Sequence, residues 1–304
     1  MSNSKSTSPA SILARLLNLA KERGDDYNLL LNRFALERLL CRISASPQAG
    51  RFLLKGALLF ALWYDEPHRP TRDADFLGFG PDDEENLVAT FREIAAMDLG
   101  DGIAFDPASV RADAIREDKS YGGARITLIG RIGSARCALQ LDIGFGDAVT
   151  PAAETATYPT LLKDFPAPTL QVYPVYSVIA EKYQAMVMLG LANTRMKDFY
   201  DLGVIARHSQ LDGAILARAI AATFERRATT LPENRPPALS REFSADAAKS
   251  RQWNAFLHRN RIASGTLADT VELLDRLLWP ATLVAAARSD ATATWLPSAG
   301  QWVP

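Results

Sequence analysis

Two cysteines, Cys41 and Cys137, in a chain of 304 residues exclude a disulfide framework and any Cys/His cluster of the zinc type. Histidine is almost as scarce. His68, His208 and His258 are the whole supply, so zinc or iron chemistry has little to work with. Net charge is missing too: the formal value is -1, so no global basicity advertises a nucleic-acid partner and only a local patch could serve one. Long apolar runs are also absent. The stretch 57–64 is far short of a membrane span, and the Ser-rich first ten residues lack the apolar segment of a signal peptide. These absences predict a soluble, cytoplasmic protein with no membrane contact. Any metal must be held by hard oxygen ligands, which points to Mg²⁺ or Mn²⁺.

What is present is an ordinary globular balance, 48% hydrophobic and 23% charged, enough to build a sizeable core. Ser8 as N-cap and Pro9 at the first helical position open a helix that should end near Gly24. Residues 27–44 predict a second helix with a broad apolar face, and 51–64 reads as helical, with Lys55 and Gly56 near its start. Between 73 and 146 the period changes from 3.6 to 2. A strand is expected at Asp73, a helix over 82–97, and strands over 109–115, 124–130 and 136–145. In the last of these Cys137, Leu139, Leu141, Ile143 and Phe145 alternate with Ala138, Gln140, Asp142 and Gly144. A Pro-rich segment over 151–174 holds one short strand at 170–173. Helices over 177–189 and 194–208 follow, and the rest is mostly helical in pattern. The fold class expected is α+β: N-terminal helices (1–48), a small mixed sheet (49–174) and a largely helical C-terminal region (175–304).

Asp73-Ala-Asp75 is the first candidate for chemistry. On a strand, residues i and i+2 share a face, so both carboxylates converge, and such a pair repels itself unless a cation intervenes. Asp-x-Asp alone is a weak signal, and its bland reading is two solvated carboxylates. Context strengthens it: Gly56 comes before a helix, where backbone amides can approach a phosphate, and Asp142 could reach the same face from a neighbouring strand. Three carboxylates would suit two-metal phosphoryl transfer. Asp142 could equally pair with Arg125 or Arg136, and Asp147 is its rival for the third position. On the helical side, Lys182 interrupts an apolar helix beside Glu181, while Arg195, Asp198 and Asp201 share roughly one helix face. By spacing alone, a snorkelling Lys182 and an ordinary Lys197–Asp201 pair explain these residues as well.

Taken in order, Lys55-Gly-Ala-Leu, Arg69-x-Thr71-x-Asp73-x-Asp75-Phe, Leu141-Asp-Ile-Gly-Phe-Gly-Asp147, Ala180-Glu-Lys-Tyr-Gln-Ala185 and Arg195-Met-Lys-Asp-Phe-Tyr-Asp-Leu202 closely resemble the AbiEii/AbiGii toxin family. These are nucleotidyltransferase-like toxins of type IV toxin–antitoxin and abortive-infection systems. The resemblance implies that Gly56, with Lys55 nearby, opens the loop beside the nucleotide phosphates, and that Asp73 and Asp75 bind the metal. It implies that Lys182 contacts the triphosphate, that Asp198 completes the catalytic cluster, and that Arg195 and Lys197 contact phosphate or brace that cluster. Asp142 as a third metal ligand rests on strand position alone. Ala57 departs from the family pattern, which has Gly or Ser there, so no serine hydroxyl can reach the nucleotide while backbone amides survive.

The activity expected is transfer of a nucleotidyl group from a nucleoside triphosphate to an acceptor. tRNA comes first, because the family includes enzymes that modify its acceptor end, and a cognate antitoxin is the expected partner. Arginines between Arg218 and Arg261 form a candidate RNA-facing patch, or else solvated helix faces. The competing readings are a nucleotidyl- or phosphotransferase acting on a protein or small molecule, and a non-catalytic nucleotide- or partner-binding module.

Overall fold

A computed structural model describes residues 7–64, 69–71, 73–118, 121–287 and 293–304. His68 and the first six residues of the Ser-rich start lie outside this set. The chain divides into two units: residues 1–146 with 154–172, and residues 147–153 with 173–304. The first unit therefore holds both the N-terminal helices and the sheet.

In the first unit, α1 (Pro9–Arg23) begins at the Ser8 cap and ends at Gly24, whose φ of 69° supplies the left-handed turn. Next comes α2 (Tyr27–Ala45), capped by Asp26, which is buried along most of its length from Leu30 to Ile43. The reason is that it packs against the sheet and also against the segment around Tyr158–Phe165. The strand β1 (Phe52–Lys55) is followed by a 3-10 turn (Gly56–Leu59) and the short α3 (Phe60–Trp63). The continuous helix expected over 51–64 is thus replaced by a strand and a turn. Phe52, Leu53 and Leu54 are all buried. A central strand covered on both faces carries no alternation to distinguish it from a buried helix.

Then come β2 (Asp73–Gly78), α4 (Glu84–Ala96), β3 (Ala104–Asp118), β4 (Tyr121–Ile132), β5 (Ala135–Phe145), β6 (Glu154–Thr157) and β7 (Thr169–Val172). They form one seven-stranded mixed sheet in the order β3-β4-β5-β2-β1-β7-β6. The edge strand β6 is mostly exposed and has no apolar signature, so nothing in its sequence announced it. One face of the sheet carries Leu54, Ala74, Phe76, Ile126, Leu141 and Ile143, all buried. Helices α1, α2 and α4 pack on the sheet in this unit, and Phe52 meets Phe76 and Phe91 at 6.2 and 5.2 Å between ring centroids.

The second unit is mainly helical: α5 (Val175–Leu189), α6 (Met196–His208), α7 (Gly213–Arg226), α8 (Arg241–Ala245), α9 (Ala247–Asn260) and α10 (Leu267–Ala287). It also holds a three-stranded sheet of β8 (Leu211–Asp212), β9 (Thr294–Leu296) and β10 (Gln301–Val303), in the order β10-β9-β8. These strands have two or three residues each, too short for a period to show. Trp295 anchors the terminal hairpin, fully buried and donating its indole N–H to the Ala206 carbonyl at 2.7 Å. The chain is an α+β protein built on a mixed sheet with many helices. Among the described residues no helix is long and apolar enough to cross a membrane.

Arg42 on α2 is wholly buried, yet every guanidinium nitrogen has an acceptor. Its Nε donates to the Met97 carbonyl, Nη1 to the Arg38 carbonyl and Asp101 Oδ2, and Nη2 to Asp101 Oδ1 and the Ile103 carbonyl, all at 2.9 to 3.0 Å. The group ties α2 to the α4–β3 connection and lies over the Phe105 ring at 4.7 Å. Removing one partner leaves the other as an uncompensated buried charge. R42M is therefore expected to lower stability by about 3–5 kcal/mol in urea titrations. The R42M/D101L double variant should lose clearly less than the sum of the two single losses; simple additivity would show that the pair is not coupled.

Candidate active site

The polar face of the sheet in the first unit is set by register. β2 runs antiparallel to β1 and parallel to β5, which places Lys55 opposite Asp75 and Asp75 opposite Asp142. Because side chains alternate, Asp73 and Asp75 share the partly exposed face, while Ala74 and Phe76 turn into the core. Thr71 donates its hydroxyl to the Asp73 carbonyl at 3.2 Å, fixing the chain as it enters β2.

Gly56 has a φ of 73°, a region that L side chains rarely adopt. Its second reason is contact. A Cβ at that position would fall 2.0 Å from Asp75 Oδ2 and 2.9 Å from Asp75 Cβ, so the carboxylate sits directly against the bare backbone of the turn. The Lys55 side chain crosses β2: its ammonium comes within 3.5 Å of where a Gly144 Cβ would lie, on β5. Lys55, Gly56 and Asp75 are thus brought together, with Asp73 two residues along the same strand.

Asp142 lies on that face as well, but both its oxygens are held by Arg125, from Nε at 2.9 Å and Nη2 at 2.8 Å, and Gln140 adds a contact at 3.2 Å. The bond to Asp142 raises the Arg125 pKa, with a smaller contribution from Asp73 on the same side. Of the alternatives left open by spacing, pairing with Arg125 is the one built. Among the described residues no three His, Cys, Asp or Glu side chains form a group that could hold a metal ion. Arg125 thus neutralises Asp142, the third of the expected carboxylates, which lies opposite Asp75 on β5. Asp147, the rival, belongs to the second unit and accepts from Arg227 at 2.9 Å.

In the second unit Lys182 projects from α5 to α6, with its ammonium 2.7 Å from Asp198 Oδ1 and 2.8 Å from Asp201 Oδ2. Both carboxylates are buried, and Lys182 is 13% exposed. Burial pulls the ammonium pKa down, but the two carboxylates outweigh it and push it up to about 12. Arg195 adds a contact to the other Asp198 oxygen at 2.6 Å. The ordinary Lys197–Asp201 pair does not form, because Asp201 points inward to Lys182. Lys197 stays exposed and makes no ion pair with a described residue.

Glu181, the neighbour of Lys182, reaches the other way. It meets Arg227 at 3.4 Å, and Arg227 also holds Asp147 and the Gln184 side chain. The adjacent Glu-Lys pair therefore joins α5 to two places, Lys182 to α6 and Glu181 to the end of α7. Sequence reasoning missed Arg227 as a partner and left Arg125 as one of two choices. Arg125 was signalled by its place on a strand next to β5, whereas Arg227 is 46 residues from Glu181 and nothing local linked them.

The model of the family described as nucleotidyl transferase AbiEii toxin, type IV toxin–antitoxin system, matches residues 38–272. The chain belongs to the AbiEii family. That match spans every block singled out from the sequence, from Lys55 through Asp201. Two solved structures are similar in shape. JHP933 from Helicobacter pylori is 16% identical, with 85% of this chain and 94% of that one covered and a TM-score of 0.47. A second H. pylori chain, provisionally assigned as a nucleotidyltransferase, is also 16% identical, with 85% and 97% covered and a TM-score of 0.44. A search of curated proteins finds no match. Membership of the AbiEii family makes the chain a nucleotidyltransferase-family enzyme and toxin, for which a nucleoside triphosphate and an antitoxin are the family's substrate and partner.

Lys182 in this AbiEii chain holds two buried carboxylates, so its removal costs more than a surface lysine would. K182M should destabilise the protein by about 3–5 kcal/mol in chemical denaturation. K182M/D201N should recover part of that loss, since one uncompensated charge is removed. A K182M protein as stable as wild type would show that the triad carries no structural weight.

Proposed function

We propose that the chain is a Mg²⁺- or Mn²⁺-dependent nucleotidyltransferase that moves a nucleotidyl group from a nucleoside triphosphate to tRNA. It acts in the cytoplasm as the toxin of a type IV toxin–antitoxin pair, and its partner is the cognate antitoxin. The observation that carries this reading is the seating of Asp75 against Gly56, beside Asp73 and Lys55 on one face of the sheet. A bare backbone turn, a cation and two carboxylates on one face are what a metal–triphosphate complex needs from a protein.

The donor set fits such an ion. Both candidate ligands are carboxylates two residues apart on a partly exposed face, and no thiol or imidazole accompanies them among the described residues. A bound Mg²⁺ would neutralise triphosphate charge and lower the pKa of the attacking hydroxyl. The chain's own groups do the remainder. Asp73 and Asp75 hold the ion, and Gly56 leaves room for phosphate oxygens to approach backbone amides. Lys55 offers a positive charge to the same oxygens. In the helical unit, Lys182, Arg195 and Lys197 are assigned to phosphate, with Asp198 orienting Lys182 and Arg195. The acceptor hydroxyl then attacks the α-phosphorus, its proton leaves, and the bond to the β-phosphate breaks to release pyrophosphate.

Incubation of the protein with total tRNA and each α-labelled nucleoside triphosphate, with and without Mg²⁺, tests the reading. Label should pass to tRNA only with the ion present. D73N and D75N should each lower transfer by orders of magnitude while melting within a few degrees of wild type. Label appearing on protein in place of RNA would transfer the same chemistry to a protein acceptor. Undiminished transfer by D73N/D75N would remove the metal assignment.

A further inference from the structure

The run of arginines between Arg218 and Arg261 looks uniform in sequence, but the structure divides it. Arg227 turns inward to Asp147, Glu181 and Gln184, and Arg235 is held by Asp275 at 2.9 Å. Arg251, Arg259 and Arg261 are exposed, and none of them makes an ion pair with a described residue. All three belong to α9 or its C-cap. Between Asp246 and Asp269 the intervening sequence holds Lys249, Arg251, Arg259 and Arg261 and no acidic residue, in a chain whose formal net charge is -1.

Helix geometry sorts these residues onto faces. Trp253 and Phe256 face inward, packing against Tyr200 of α6 at 6.4 and 5.7 Å between centroids, and the Trp253 indole donates to the Gly265 carbonyl at 3.0 Å. Lys249 also serves the interior, donating to the Asn193 carbonyl at 2.8 Å. Arg251 and His258, seven residues apart, lie on the opposite side, while Arg259 stands on its flank, about 80° round the helix from Arg251; both arginines are exposed. This outward stripe extends about 10 Å, at about 1.5 Å per residue. Arg261 continues it from an unusual position. It occupies the helix C-cap with φ 54°, where glycine is the common residue and an arginine is strained.

We infer that the outward face of α9, built from Arg251, Arg259 and Arg261, is a docking surface for the phosphate backbone of RNA. This rests on the reading of RNA as the acceptor and adds where it is held. Three guanidinium groups without ion-pair partners among the described residues complement a polyanion, and the planar fork of arginine suits phosphate oxygens in pairs. The aromatic underside fixes the stripe to α6, the helix that carries Arg195, Lys197 and Asp198 at its start. The stripe itself is built of arginines with no aromatic ring between them, so it touches phosphate and carries little sequence preference.

Fluorescence anisotropy of labelled tRNA with the full-length protein, over a range of salt concentrations, is the test. R251Q/R259Q/R261Q is expected to bind at least about thirtyfold more weakly, with a shallower salt dependence: the slope of log K on log salt falls by about one for each arginine–phosphate pair removed. R23Q/R92Q/R136Q removes the same charge from exposed positions in the first unit and should bind as wild type does. D73N should also bind normally, which separates docking from chemistry. R261G relieves the backbone strain, so it should melt no lower than wild type and still bind RNA more weakly. Wild-type affinity and slope in the α9 triple variant, or an equal loss in the control triple variant, would overturn the surface assignment alone. Failure of the wild-type protein to bind RNA at all would overturn the RNA-acceptor reading and this inference with it.

Discussion

Strand β2 has to satisfy two neighbours that run in opposite directions, and the positions of the candidate ligands depend on how it does so. Its antiparallel partner β1 sets Lys55 beside Asp75, and its parallel partner β5 sets Asp142 there too. Slipping either register by one residue would carry Asp73 and Asp75 into the core and bring Ala74 and Phe76 out to water. Burying two carboxylates while exposing a phenylalanine is penalised heavily enough that the core itself enforces the register. The polar face is therefore a by-product of packing on the other side.

Two buried cations, one in each unit, are given opposite charges and hydrogen-bond partners within their own unit. Arg42 meets Asp101 and three carbonyls, and Lys182 meets Asp198 and Asp201. Such clusters contribute little net stability compared with apolar packing, yet they tolerate the loss of a member badly. Their effect is to specify which helices meet. Lys182 admits only a helix that brings two carboxylates at i and i+3, which is the spacing of Asp198 and Asp201 on α6.

How much could be read from the sequence depended on whether the physics was local. β5 was legible because one of its faces is wet and the other dry, so Cys137, Leu139, Leu141 and Ile143 alternate cleanly with less buried residues. The caps at Ser8 and Gly24 were legible because capping is a property of a few adjacent residues. β1 was not, since burial on both sides erases alternation, and β8 to β10 were too short to have a period. Asp73 and Asp75 could be placed on one face from i, i+2 spacing alone. The saturation of Asp142 by Arg125 and the two-way reach of Glu181 and Lys182 needed strand order and helix packing, which no single stretch of sequence encodes.

The absence of clearance between Gly56 and Asp75 has a thermodynamic consequence. An aspartate on an open strand samples several side-chain rotamers, and a ligand that fixes one of them must overcome the entropy of the rest. Here the turn backbone lies against the carboxylate, so its freedom is surrendered when the sheet forms. The ordering cost falls on folding, where a large core absorbs it, and any ligand of Asp75 would meet a side chain already at rest.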